Sequence, residues 1–369
     1  MARVDALQRP EAGPVLPAAA LADRTTPLIR NCWYVAATSA ELLDGPLGVD
    51  VAGVPVALFR TRDGKAAAVH DRCAHRSFPL SRGRVEGDRL VCGYHGIAYG
   101  ADGLAAAIPA DDRPAARAAM RVRRFPLIER PPFLWLWPGD PDAADPALVP
   151  AHPWLSDPGW AFATGRTDIE ANYLGLHENL LDTTHFSFLH AGNVGTPSYA
   201  TAPIDLEVAG DRVRQVRVLA GDVLPGLYDR AMELVGKPVT RSTDSRFVSP
   251  GWHEAHAEVI DPDPAPGRPA RYATKILHAI TPTAQDRTRY WWAIARDYRV
   301  DEPEVTSLMR HAIVEAFEED RLALAWIREV QDRDGLRPVP AERSVKPDMG
   351  GLAMRRIVAR LAAREAEAG

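Results

Sequence analysis

The stretch "CAHRSFPLSRGRVEGDRLVCGYHG", residues 73–96, sets two cysteines beside two histidines. One residue separates Cys73 from His75, and two separate Cys92 from His95. Each half offers one sulfur and one nitrogen. A zinc finger instead draws a Cys–Cys pair and a His–His pair from separate elements. Mixed pairs on two loops suit two irons bridged by sulfide, one iron taking both thiolates and the other both imidazoles. Neutral imidazoles leave less negative charge around such a cluster. Its potential then lies at roughly −150 to +300 mV instead of about −400 mV. The competing readings are a structural zinc site or four residues that merely pack. The third cysteine, Cys32, sits in the apolar "NCWYVAA" and reads as a small buried side chain.

A second group lies in "NYLGLHENLLDTTHFSFLH", which carries Asn179, Asp182, His185 and His190. The segment reads as a helix that stops before Gly192. Steps of three put Asn179, Asp182 and His185 on one face. His190 falls off that face, so the helix must end or distort near 186–189 before both imidazoles can reach one ion. The third ligand comes from "AIVEAFEEDRLALAWI". Its inward stripe runs Ile313, Phe317, Asp320, Leu324, Ile327. An unpaired carboxylate among those neighbours is costly, and a cation removes the conflict. Two histidines and one carboxylate leave open positions on Fe(II), the arrangement of non-heme iron oxygenases. Glu318 and Glu319 read as solvent-facing charges. Asp182, one turn before His185, is placed to accept that ring's second N–H. His70, His152, His177, His253, His256, His278 and His311 have no second ligand at metal spacing. "WHEAH" reads as a strand with His253 and His256 on opposite faces, one of them able to line a pocket.

These residues need a scaffold. From residue 31 to about 140, β-type segments alternate with Gly/Asp turns, "RDGK" among them. Proline and aspartate density marks a linker near 138–153. "RYATKILHAITP" and "RTRYWWAIARDYRV" predict an antiparallel pair, and residues 301–335 a long helix with an acidic start and a glycine stop. A terminal amphipathic helix follows. The expected division is a disordered tail over 1–26, a cluster domain over 27–150, an iron domain over 151–350 and a C-terminal helix over 351–369. With 369 residues, 46% hydrophobic and 25% charged, two domains are the natural size. The net charge of −5 without a basic block gives nucleic-acid binding no support. Three cysteines make no disulfide framework. No apolar run is long enough to span a membrane. The expected location is cytoplasmic.

The first motif, with its "CGYHG" ending, resembles the cluster loops of Rieske non-heme iron oxygenases. The respiratory Rieske proteins differ, since their loops carry additional cysteines. Asp182, His185, His190 and the distant Asp320 follow the family's order, as do "NCWYVAA", Asp348 and the Arg355–Arg356 pair. The order resembles the vanillate O-demethylase and dicamba monooxygenase type. The resemblance implies an α+β fold, an all-β Rieske [2Fe–2S] domain followed by a helix-grip domain whose antiparallel sheet wraps a long helix. It implies cluster ligation by Cys73, His75, Cys92 and His95, and Fe(II) ligation by His185, His190 and Asp320. Asp182 would carry electrons between subunits of a homotrimer by bridging His95 and His185, with Asn179 as a nearby polar helper. The chain would be the terminal oxygenase. O2 and electrons from NAD(P)H, delivered by a separate flavin/iron–sulfur reductase with or without a ferredoxin, would hydroxylate or O-demethylate an aromatic substrate. A methoxyaromatic acid is the first expectation, with Arg246 or Arg289 as carboxylate partner and Trp252, Tyr290, Trp291 and Trp292 as candidate pocket walls. The alternatives are a monooxygenase of a steroid or natural product, and a Rieske electron carrier with a non-catalytic ligand-binding domain.

Overall fold

The computed structural model describes residues 25–334 and 342–368, apart from Asp44 and Asp112. Most of the tail expected over 1–26 therefore lies outside the described residues. The N-terminal part is built from β1 (Tyr34–Thr38), β2 (Leu47–Val51), β3 (Val54–Arg60), β4 (Ala66–His70), β5 (Arg84–Glu86), β6 (Arg89–Val91), β7 (Ala98–Tyr99), β8 (Ala105–Ala107), the short helix α1 (Pro114–Ala119), β9 (Leu127–Arg130) and β10 (Phe133–Leu136). They form three small sheets in the orders β2-β3-β4, β5-β6-β7-β8 and β1-β10-β9. The "RDGK" turn does join β3 to β4, and Gly64 takes a positive φ of 81° there. Between 138 and 153 the chain makes short 3₁₀ turns. Asp140 and Asp145 cap two of them by accepting the N–H groups of Asp142 and Ala147.

The second part begins with β11 (Ala161–Ile169) and α2 (Tyr173–Leu181). There follow β12 (Ile204–Ala209), β13 (Arg212–Val223), α3 (Gly226–Met232), β14 (Pro238–Ser249), β15 (Trp252–Ile260), β16 (Arg271–Ala284) and β17 (Arg287–Arg296). Two helices close the chain, α4 (Pro303–Asp334) and α5 (Met349–Ala368). The seven strands make one antiparallel sheet in the order β11-β17-β16-β15-β14-β13-β12. The long helix α4 lies against β11 and β17. This is the α+β plan read from the sequence, with the antiparallel pair β16–β17 where it was expected.

The sheet is buried on both faces, and β17 shows why its aromatics are so dense. Side chains alternate along a strand. Tyr290, Trp292 and Ile294 face the core shared with α4. Trp291, Ala293 and Ala295 face a second core, where Trp252 meets Trp33, Trp135 and Trp137 from the N-terminal strands. The four aromatics expected to wall a pocket are therefore packing residues. A third core, holding Phe59, Leu80, Leu90, Ile97 and Tyr99, encloses Cys73 and Cys92. Cys32 is buried, and burial pushes its thiol up to about 12, as suits a packing residue. Among the described residues no helix is long and apolar enough to cross a membrane.

Candidate functional site

The loops after β4 and β6 bring Cys73, His75, Cys92 and His95 to one end of the N-terminal part. The cysteines are buried in their small core, whereas both histidines are exposed. The His75 and His95 rings lie 4.7 Å apart. Backbone N–H groups shape each loop, Ser77 donating to the carbonyl of Cys73 and Gly96 to that of Cys92. The Tyr99 hydroxyl lies 3.3 Å from the Cys73 sulfur. Burial raises the Cys92 thiol, against the Tyr94 amide that lowers it, and Cys73 adds to the rise. Two adjacent buried thiols want a cation before both ionise. One tetrahedral zinc would draw all four donors within about 4 Å of one another. Among the described residues, the single set of three or more donors gathered within 4.8 Å is His185, His190 and Asp320. The four loop residues thus pair as sulfur with sulfur and ring with ring, a geometry for two irons and not for one ion.

The second site departs from its sequence reading in how the helix ends. α2 stops at Leu181, and Asp182 is extended, with φ −94° and ψ 95°. Its carboxylate accepts the Thr184 N–H at 2.8 Å and starts a 3₁₀ turn over Thr183–Ser187. An aspartate whose side chain bonds the backbone two residues on competes with the helix, so the break comes earlier than 186–189. Asn179, Asp182 and His185 consequently do not share one helical face. The turn swings His185 inward, and the following loop returns His190, which is buried.

Asp320 is buried on α4 between Phe317 and Leu324 as its stripe predicts, but Ile327 is 52% exposed and ends the stripe early. Asp320 Oδ1 lies 3.1 Å from His190 Nε2 and 3.6 Å from His185 Nε2. Both rings are held by their other nitrogen. His185 Nδ1–H donates to the backbone carbonyl of Asp182, not to its carboxylate as expected. His190 Nδ1–H donates to Glu319 at 2.6 Å. Both Nε2 atoms then converge as acceptors, and His185 Nε2 is buried without a hydrogen-bond partner. A metal ligand oriented by such partners keeps the right tautomer and gains basicity. Burial lowers the His185 pKa, with Asp320 opposing. Burial also pulls on His190, but Asp320 and Glu319 outweigh it and the net shift is upward. Glu319, read as a solvent-facing charge, is therefore a working part of the site. Its signal was the histidine itself, whose second N–H must find an acceptor. Asn179 gives its amide to Asp320 Oδ1 at 2.9 Å and has no bond to Asp182. The Asp182 carboxylate is 29% exposed and lies 3.6 Å from Arg217.

The triad closes one end of a pocket of about 660 Å³ whose apolar wall includes Phe186, Val194, Ile276, Ile313 and Phe317. Polar lining comes from Asn179, Arg241, Thr243, Ser245 and His278. His278 bonds the Tyr290 hydroxyl at 2.5 Å, and burial pushes its pKa down to about 3, so the ring is neutral. His253 is turned away into a bond with Ser245 at 2.8 Å, and His256 reaches the pocket wall. Arg246 and Arg289 are already paired with Asp244 and Asp168, and neither lines the pocket.

The Rieske [2Fe-2S] domain model matches residues 32–126, and the vanillate O-demethylase oxygenase C-terminal domain model matches residues 169–364. The chain belongs to the Rieske non-heme iron oxygenases of the vanillate O-demethylase type. It is 34% identical to the vanillate O-demethylase oxygenase subunit of Pseudomonas sp. (strain HR199 / DSM 7063), over 92% of this chain and 96% of that protein. It is 30% identical to the dicamba O-demethylase oxygenase component of Stenotrophomonas maltophilia, over 84% of this chain and 92% of that protein. Crystalline dicamba monooxygenase bound to 3,6-dichlorosalicylic acid superposes with a TM-score of 0.81 at 29% identity, over 91% of this chain and 98% of the other. A Rieske oxygenase of this family is an enzyme that couples a [2Fe–2S] cluster to a mononuclear non-heme iron and draws electrons from a separate reductase. The chain is accordingly the oxygenase component of such a system.

Proposed function

We propose that this enzyme removes a methyl group from a methoxylated aromatic compound held in the pocket between α2, α4 and the inner face of the large sheet. One observation carries the reading. Three donor atoms converge at the end of an apolar pocket of a size that fits a single aromatic ring. Cys73 and Cys92 would hold one iron of the cluster, His75 and His95 the other, and His185, His190 and Asp320 the lone Fe(II). When bound, these groups supply electrons and activate dioxygen. The residues do the rest. Asp182 and Glu319 fix the two imidazoles, Asn179 steadies Asp320, and the apolar wall excludes water. Oxygen placed on the methyl carbon gives a hemiacetal, which loses formaldehyde and leaves a phenol. The second oxygen atom leaves as water, with both electrons drawn from NAD(P)H through a flavin/iron–sulfur reductase, with or without a ferredoxin. Hydroxylation of a ring or of a bulkier natural product uses the same site. The relatives named for vanillate and dicamba favour O-demethylation.

The active unit is proposed to be a cytoplasmic homotrimer. His95 is exposed at the surface and so is part of Asp182, as an intersubunit route requires. Asp182 would hold His185 through its carbonyl and offer its carboxylate to His95 of the partner subunit. The working division is proposed as 27–150 for the cluster domain and 151–350 for the iron domain, with the helix over 351–369 bracing α2. Arg355 supports that bracing, for it pairs with Glu178 at 2.9 Å. The test is a screen of methoxyarenes with a reductase and NADH. One formaldehyde released per substrate consumed is expected. Substrate-dependent NADH use without formaldehyde would replace demethylation by hydroxylation.

A further inference from the structure

Arg241 on β14 is 3% exposed and lines the pocket. Its Nη2 donates to the Val194 carbonyl at 2.9 Å, while its Nη1 is buried with no hydrogen-bond partner. Among the described residues no carboxylate lies within 4.0 Å of this guanidinium. The rings of Tyr199 and Tyr228 flank it, each centroid 5.1 Å from Cζ. Stacking orients the guanidinium plane but does not neutralise it. A buried cation without a counter-ion is costly unless something else supplies the charge.

The other buried arginines show how this chain ordinarily meets that cost. Arg355 has Glu178 at 2.9 Å, and Arg217 has Asp182 at 3.6 Å together with the Ala202 carbonyl. Arg296 also has no carboxylate, but it faces a small space of about 180 Å³ beside Ala161 and Met309 and donates to the Glu302 carbonyl and the Thr306 hydroxyl. Arg241 alone among them stands in the large pocket, which also holds the metal triad. From Arg241 a line of rings leads to the triad, Tyr199 to Phe186 at 5.1 Å and Phe186 to His185 at 4.9 Å. A small aromatic molecule can therefore touch the cation at one end while its oxidised carbon faces the donors.

We propose that Arg241 binds the anionic group, a carboxylate or sulfonate, of an aromatic substrate, and so makes this oxygenase selective for aromatic acids. The inference rests on the reading of this pocket as the substrate site. Its test is equilibrium binding to the cluster-containing protein by calorimetry, without reductase. The probes are methoxybenzoates, methoxybenzenesulfonates and the corresponding methyl methoxybenzoates. The wild type should bind the acids about tenfold to a hundredfold more tightly than the esters, in keeping with a charge-assisted hydrogen bond. Arg241→Gln should lose that ratio while still binding the esters, and Arg241→Lys should keep part of it. The ratio between two ligands is insensitive to general loosening of the fold, and an unchanged visible spectrum of the cluster reports an intact chain. Equal affinity for acid and ester in the wild type, or an undiminished ratio in Arg241→Gln, overturns the inference and leaves the pocket reading standing. Binding of neither acid nor ester overturns both.

Discussion

His190 is gripped at both ring nitrogens, by Glu319 on the outside and Asp320 within. Removing the outer charge should loosen the lone metal and nothing else. Glu319→Gln is expected to weaken iron retention there by about 10- to 100-fold, as loss of a ligand's hydrogen-bond partner commonly does. Metal analysis after dialysis against a chelator reads it, with the cluster absorbance as internal control, and full retention of the third iron would show that Glu319 does not tune His190. The six ligands supplied by two loops were legible in the sequence because their spacing is local and their chemistry unusual. Asp320 was legible because a carboxylate stood on an apolar stripe. Glu319 was not, since its place off that stripe suggested solvent, yet a glutamate is long enough to reach back and is only 34% exposed. Arg241 was missed too. Its clue was parity, for it shares an alternating strand face with the buried Val239 and Phe247.

At the scale of elements, the break after Leu181 and the loop to Val194 decide where the imidazoles sit. Gly195 lets that loop close, because a Cβ there would meet the Phe186 carbonyl oxygen at 1.7 Å. Gly195→Ala must therefore push the 186–195 backbone outward and displace His190. The expected result is loss of the mononuclear iron with an intact cluster spectrum, and normal iron content would show that the loop has slack. The framework behind it is α4, whose Phe317 meets Tyr290 at 5.2 Å and Trp292 at 5.7 Å, edge to face. Phe317→Ala should cost about 3–5 kcal/mol in denaturant unfolding, and a loss under 1 kcal/mol would mean that the core collapses to fill the space. The long helix and the β16–β17 hairpin were readable from periodicity and turn residues. The early end of α2 was not, since "LLDTTHF" keeps the apolar spacing of a helix. The competing Asx bond to Thr184 is what wins.

For the whole molecule, the two metal sites have meaning only together. Asp182→Ala should leave both loaded and the protein folded, yet oxidation of the reduced cluster during turnover should slow by orders of magnitude. Unchanged single-turnover kinetics with reductase would rule out Asp182 as the route. Sedimentation should give three times the 40.3 kDa chain mass, and a monomer with full activity would contradict transfer between subunits. The pairing of a cluster end with a triad pocket in one chain was visible from motif order, whereas the packing of tryptophans between the two parts was not, because nothing local in "YWWAIA" says which ring faces which core. The most direct measurement is iron and acid-labile sulfide in anaerobically purified protein, read with EPR after reduction. The account predicts three irons and two sulfides per chain, with the rhombic signal of a nitrogen-ligated pair. A colourless protein that binds zinc alone, even after reconstitution with iron and sulfide, would contradict it.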